Sequence, residues 1–176
     1  MGEERRVREV LARYVRATDV RDGVAQGALF TDDAVVRIFS RTAGGTYDEV
    51  GEPLLGGAGV AFAVANFMAP HPPLGASHHV TADHIVEVDG ETARMNAQFV
   101  VFEVRGTPRP AGGWPAGTFG VQGTVRPIES GYYDTELRLV GGTWKITRHH
   151  VLMDMPVALP EVRPAPSAGS ASAGRG

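Results

Sequence analysis

The chain of 176 residues contains no cysteine. That absence removes disulfides, thiolate metal sites and a thiol nucleophile together. Long hydrophobic runs are missing as well: the longest, GVAFAVANFMA at residues 59–69, is too short to cross a bilayer. The N-terminal MGEERRVREV is charged and lacks the apolar stretch of a signal peptide. A membrane is therefore not expected as a partner, and a cytoplasmic location is. An excess of positive charge is also lacking. The formal net charge is −3, and the 17 Lys and Arg do not gather into a stripe, so nucleic acid is not an expected partner. What is present, 43% apolar and 21% charged residues, suits a single globular domain with a closed core.

The pattern along the chain predicts helices first and strands after. Val7, Val10, Leu11, Tyr14 and Thr18 recur at helical spacing over residues 3–18, giving one core-facing stripe. A short helix is expected after Asp22-Gly23, a strand over TDDAVVRIFS, and a third helix ending at the prolines of PHPP, which cannot continue it. Strands are then expected at 78–88, 92–105, 121–139 and 143–154. Alternation in the second of these, with Ala93, Met95, Ala97, Phe99 and Val101 on one side, marks a half-buried strand. This order implies an α+β fold, helices covering one face of a strongly curved antiparallel sheet. The domain is expected over residues 1–157, followed by an Ala/Gly/Ser/Pro-rich tail at 158–176 with too little apolar content to fold.

Half of the six histidines lie in SHHVTADH, residues 77–84. Their spacing does not match a helical zinc site. On a strand, His78 and His79 point to opposite faces, as do His149 and His150. No metal is expected. The glycines of GGAGVAF at 56–62 lack the Lys-Ser/Thr of a phosphate loop and the spacing of a dinucleotide fingerprint, so no cofactor is expected either. Asp19 is the more telling residue. It falls at the C-terminal end of the first helix, where the dipole disfavours a carboxylate. A protonatable histidine facing it would offset that cost, and a plain turn with Asp22-Gly23 is the alternative. Tyr14 lies on the apolar stripe, so its hydroxyl must find a partner. On a regular helix Tyr14 and Asp19 are about 140° apart, and they converge on one pocket only if the helix ends or bends before Asp19.

Several pieces together form a signature: Tyr14 with Asp19; Phe30, Asp32, Asp33 and Ala34 entering a strand; His79 followed by IVEVDGETA; Tyr132 with Asp134; and Trp144 with Ile146. Over about residues 5 to 155 these resemble the SnoaL-like branch of the nuclear transport factor 2-like superfamily. The set of Tyr14, Asp19 and His79 is similar to the Tyr/Asp/His arrangement of bile-acid 7α-dehydratases. Its Asp and His also resemble the dyad of scytalone dehydratase and hexachlorocyclohexane dehydrochlorinase. The resemblance implies a cone-shaped sheet wrapped around the helices with a pocket inside, and a homodimer formed through the outer sheet face. It departs from the pattern at Val101-Phe102, apolar where the dehydratases carry a polar group, and at Met153, where they carry an arginine.

These readings combine into cofactor-free acid–base catalysis on a bulky apolar or polycyclic small molecule of secondary metabolism: a cyclisation, dehydration or isomerisation. His79 would move the proton, Asp19 would orient and charge-stabilise the imidazole, and Tyr14 would donate to a developing oxyanion. Tyr132, Arg148, His150, Phe99 and Trp114 are the candidate substrate-binding residues, with Phe39, Phe62, Phe67 and Met95 as further walls. A non-catalytic small-molecule binder of the same superfamily is the rival reading.

Overall fold

The computed structural model describes residues 2–158. The expected tail thus lies outside the described residues from position 159 onward. Helix α1 spans Glu3–Asp19 and α2 spans Gly23–Gly27. Strands β1 (Phe30–Arg41), β2 (Tyr47–Glu49) and β3 (Leu54–Leu55) precede α3 (Gly56–Phe67). The long strands β4 (Gly75–Asp89), β5 (Thr92–Gly106), β6 (Gly123–Val140) and β7 (Thr143–Met153) complete the chain. The stripe on α1 is buried as its spacing requires, Val7 and Leu11 completely. Its first turn is tied to the last strand by the Trp144 indole, which donates to Glu3 Oε2 at 2.7 Å.

All seven strands belong to one sheet in the order β2-β1-β7-β6-β5-β4, with β3 on β1. The sheet is mixed rather than antiparallel throughout, because β1 and β7 run parallel. A parallel pair needs a long crossover, and everything from α3 to β6 serves as one. The curved sheet stays open: β4 and the β2/β3 side remain separate edges. Curvature comes with slips in register, at Ala82/Ile85 between β4 and β5, at Val101/Phe102 between β5 and β6, and at Glu136/Leu137 between β6 and β7. Each slip inserts unpaired residues that bend the strand and deepen its twist.

The inner face of this open cone is set by register. Ala93, Met95, Ala97, Phe99 and Val101 of β5 stand opposite Leu137, Thr135, Tyr133, Gly131 and Glu129 of β6. Across the other neighbour, Val101 faces His79 of β4. Thr135 in turn faces His149 of β7. With Val7, Leu11 and Tyr14 of α1, the five β5 residues and Tyr133 and Leu137 of β6 form the core. The two short-chain helical neighbours α2 and α3 cross on glycines: a Cβ on Gly57 would stand 2.2 Å from the Gly27 carbonyl oxygen.

Candidate active site

The end of α1 aims Asp19 at the sheet. The Asp22 amide donates to the Ala17 carbonyl at 2.9 Å and the Arg21 amide to Thr18 at 3.1 Å, the paired bonds that close a helix through a left-handed residue. That residue is Arg21, with φ 60°, where glycine is usual. The helix runs through Asp19 without an earlier break, so Tyr14 and Asp19 leave it in different directions. His71, from the loop after α3, donates Nε2–H to the Asp19 carbonyl at 2.7 Å. A donor at this position satisfies one of the orphan carbonyls at a helix C-terminus.

The Asp19 side chain meets β4. Its Oδ1 lies 2.6 Å from His79 Nδ1. The His79 backbone amide donates to both carboxylate oxygens at 3.1 Å, and the Ser77 hydroxyl donates to Oδ1 at 3.3 Å. An ionised carboxylate only accepts, so Nδ1 carries the proton in the neutral ring and Nε2 keeps its lone pair. Among the described residues His79 Nε2 has no hydrogen-bond partner, and it is not fully buried. Both side chains are largely covered, at 9% and 13% exposure for His79 and Asp19. This is an oriented imidazole with one free basic nitrogen.

Behind His79 the interior is a column of rings. Phe99 lies 6.4 Å from His79 and stacks on Tyr133 at 4.4 Å, and Tyr133 stacks on His149 at 5.0 Å. Tyr14 packs on His149 at 4.6 Å and edge-on to Tyr133 at 5.7 Å, so its ring stands across Tyr133 and Phe99 from the His79 ring. Burial holds the Tyr14 hydroxyl well above the ordinary tyrosine range, with the Glu129 charge adding to the rise and the nearby Gln26 side chain opposing it. The group stays a donor at neutral pH.

Several expected site residues lie elsewhere. Tyr132, Arg148 and His150 alternate with the interior residues Tyr133 and His149 and therefore face outward. Arg148 is engaged there with Asp134 and Glu136 at 3.2 and 3.0 Å, and His150 packs on Phe39 at 5.0 Å. Phe39 is thus also an outer-face residue. Phe62 and Phe67 pack on each other, 58% and 48% exposed. Trp114 belongs to the β5–β6 loop, which begins about 17 Å along the strand from Val101. Phe99 and Met95 are interior. Two surface concavities lie around Glu3, Arg8 and Val88 and between the β4–β5 turn and Glu136–Thr147; neither touches Asp19 or His79.

The structure adds Glu129, Tyr133, Arg21, Ser77 and His71 to the neighbourhood. Glu129 and Asp19 both act on Tyr133 and on Arg21. Ser77 was legible, since it shares strand parity with His79. Tyr133 and Tyr132 are adjacent, and only the register distinguishes them. Among the described residues no group of three or more His, Asp or Glu could hold a metal ion, and no helix is long and apolar enough to cross a membrane.

The curved sheet over N-terminal helices is accompanied by a match to the SnoaL-like domain family over residues 2–150; the protein belongs to that family. No curated protein matches it. Solved structures do. ActVI-ORFA from Streptomyces coelicolor is 15% identical, with a TM-score of 0.64 over 88% of this chain and 98% of the other. A candidate scytalone dehydratase from Novosphingobium aromaticivorans is 16% identical, TM-score 0.58, covering 93% and 95%. An NTF2-like protein with a cystatin-like fold from the same organism is 22% identical, TM-score 0.59, covering 86% and 82%. At these identities the likeness establishes the fold.

Proposed function

We propose that the protein is a cofactor-free acid–base enzyme, a cyclase, dehydratase or isomerase acting on a bulky apolar intermediate of secondary metabolism. The observation that carries this reading is the 2.6 Å contact of His79 Nδ1 with Asp19, with Nε2 unbonded among the described residues. In the reaction Nε2 takes a proton from carbon or oxygen of the substrate. Asp19, fixed by the His79 amide and Ser77, stabilises the imidazolium that forms. Tyr14, whose ring stands across Tyr133 and Phe99 from His79, takes no part in this step. Phe99 and Val101 form the apolar floor beside His79. As in the resemblance noted above, the chain acts as a homodimer joined by its outer sheet face.

A second reading is a non-catalytic binder, favoured by the packing of rings behind His79. Turnover separates the two. The probe is 3-hydroxy-1-tetralone, a bicyclic β-hydroxy ketone whose dehydration yields fluorescent 1-naphthol. Wild-type protein should accelerate the reaction, and His79→Gln or Asp19→Asn should each lose roughly 10²–10⁴-fold. Binding of the ketone, measured by calorimetry, with no turnover by the wild type would favour the binder.

A further inference from the structure

Unbroken register decides which residue of β6 faces His79: the pairs run from Ala93↔Leu137 to Val101↔Glu129 without a slip. Glu129 therefore shares the inner face with Gly131, Tyr133 and Thr135 by alternation. The slip comes just beyond, where Phe102↔Pro127 leaves Ile128 unpaired and redirects only the earlier part of β6. His79, Val101 and Glu129 thus form one row across three strands. The two end residues are about 10 Å apart at Cα by strand spacing, and the buried Val101 lies between them. Their side chains rise from the same concave face.

Glu129 is unlike the other carboxylates near it. Glu103, two residues past Val101, is held by Arg105 and Arg126, whereas Glu129 accepts no hydrogen bond from a side chain among the described residues. The groups whose charge it meets are His79 on β4, Arg21 after α1, Tyr14 on α1 and Tyr133 on its own strand. β5 contributes apolar Val101 and Phe99. Burial pushes its carboxyl above the usual carboxylate range, and His79 and Arg21 draw it partly back.

We propose that Glu129 is a second acid–base group of the site, working opposite His79 on an enolisable carbonyl compound with an oxygen leaving group at the β carbon. This rests on the acid–base reading of His79. Neutral His79 Nε2 removes the α proton, and the C–H electron pair becomes the Cα=Cβ bond. The Cβ–O bond breaks, and the departing oxygen leaves as water with the proton of the Glu129 carboxylic acid. The step ends with an imidazolium facing a carboxylate, a pairing of opposite charges across Val101. Proton return from His79 to Glu129 through water restores both groups. The span of the row suits a substrate whose acidic C–H and leaving oxygen are on neighbouring carbons of a fused ring.

The test uses the full chain and 3-hydroxy-1-tetralone. Glu129→Gln should lower kcat about 100-fold with KM within about twofold, while Glu129→Asp recovers part of the loss. Because the acid must be protonated to act, wild-type kcat should fall as pH rises, and Glu129→Gln should lose that limb. The glutamine removes an unpaired, partly buried carboxylate, so at pH 7 the variant should be no less stable than wild type. In parallel, carbon-13 NMR follows the Glu129 carboxyl, expected to titrate above the ordinary range and to move higher in His79→Gln, where a neighbouring cation is lost. Wild-type kcat and pH profile in Glu129→Gln, beside a loss in His79→Gln, would overturn the role of Glu129 alone. Equal activity in all variants and wild type would instead sink the His79 reading. A carboxyl that titrates in the ordinary range and ignores His79→Gln also overturns the proposal, whether or not the ketone is turned over.

Discussion

Thr135 and His149 meet in the wholly buried interior, the hydroxyl 2.9 Å from Nδ1, both with no exposed surface. The other ring nitrogen, Nε2, has no partner among the described residues. Burial pushes His149 down to about 3 from its ordinary value of 6.5, with the His150 and Arg148 charges adding to the effect. The folded state therefore keeps this ring neutral.

The consequence for stability has a definite sign. Between about pH 6.5 and 3 the unfolded chain binds a proton at His149 that the folded chain does not. Stability from this residue is present above 6.5 and is lost as pH falls through that window, by about 1.4 kcal/mol per pH unit. His149→Gln, which can still bond Thr135, should remove the dependence. Urea unfolding at pH 6.5 and 4.5 should show the wild type losing about 2–3 kcal/mol more than the variant.

Asp19 joins α1 to β4 as well as orienting His79. Removing it would leave the His79 amide and Ser77 hydroxyl without their acceptor, at a cost of about 1–3 kcal/mol. Asp19→Ala should show that loss in urea unfolding, and Asp19→Asn, which retains an acceptor oxygen, should lose less. In proton NMR the wild type should show a strongly deshielded His79 Nδ1–H resonance. Its persistence in Asp19→Asn would contradict the assigned hydrogen bond.

The layout of helices and long strands was legible because periodicity is local: α1 buries the stripe its spacing marks, and β5 buries every second residue. Asp19 was legible from chemistry, a carboxylate at the wrong end of a helix, and His79 from the family resemblance, since alternation alone separates it from His78 without saying which of the two is inside. Glu129 was not. It shares parity with Gly131, Tyr133 and Thr135, yet Glu129, Gly131 and Thr135 carry no apolar signal to mark that face as the inner one. Tyr132, Arg148 and His150 failed for a related reason. In YYD and RHH polar residues occupy both faces, so a one-residue shift of register exchanges inside for outside. The parallel β1–β7 pairing joins the two ends of the domain and has no local signal at all.

Gly27 and Gly57 hold α2 against α3 through backbone contact. A Cβ at Gly27 would stand 2.4 Å from the Gly57 oxygen, and the reverse substitution is tighter still at 2.2 Å. Neither opposing atom is a side chain that can swing away. Gly57→Ala should therefore force the helices apart and cost about 1–3 kcal/mol, seen as a lower urea midpoint. Gly90→Ala is no substitute control because its φ is positive, so Gly112→Ala, where a Cβ meets nothing, should leave the midpoint unchanged.

Arg148 offers the sharpest test of which face matters. Its guanidinium bonds to Asp134 and Glu136 on the outer face, and all three side chains are 29–42% exposed. Pairs of this exposure contribute about 0–1 kcal/mol. Arg148→Ala should lower stability by no more than that and leave turnover of 3-hydroxy-1-tetralone within about twofold of wild type. Tyr14→Phe should likewise leave turnover within about twofold. The ring contacts with His149, Tyr133 and Phe30 are kept, and the ring stands across Tyr133 and Phe99 from His79. His79→Gln makes the opposite pattern, with the loss of roughly 10²–10⁴-fold expected of a missing base. A large loss of activity in Arg148→Ala with none in His79→Gln would mean that the reacting face of the sheet is the outer one.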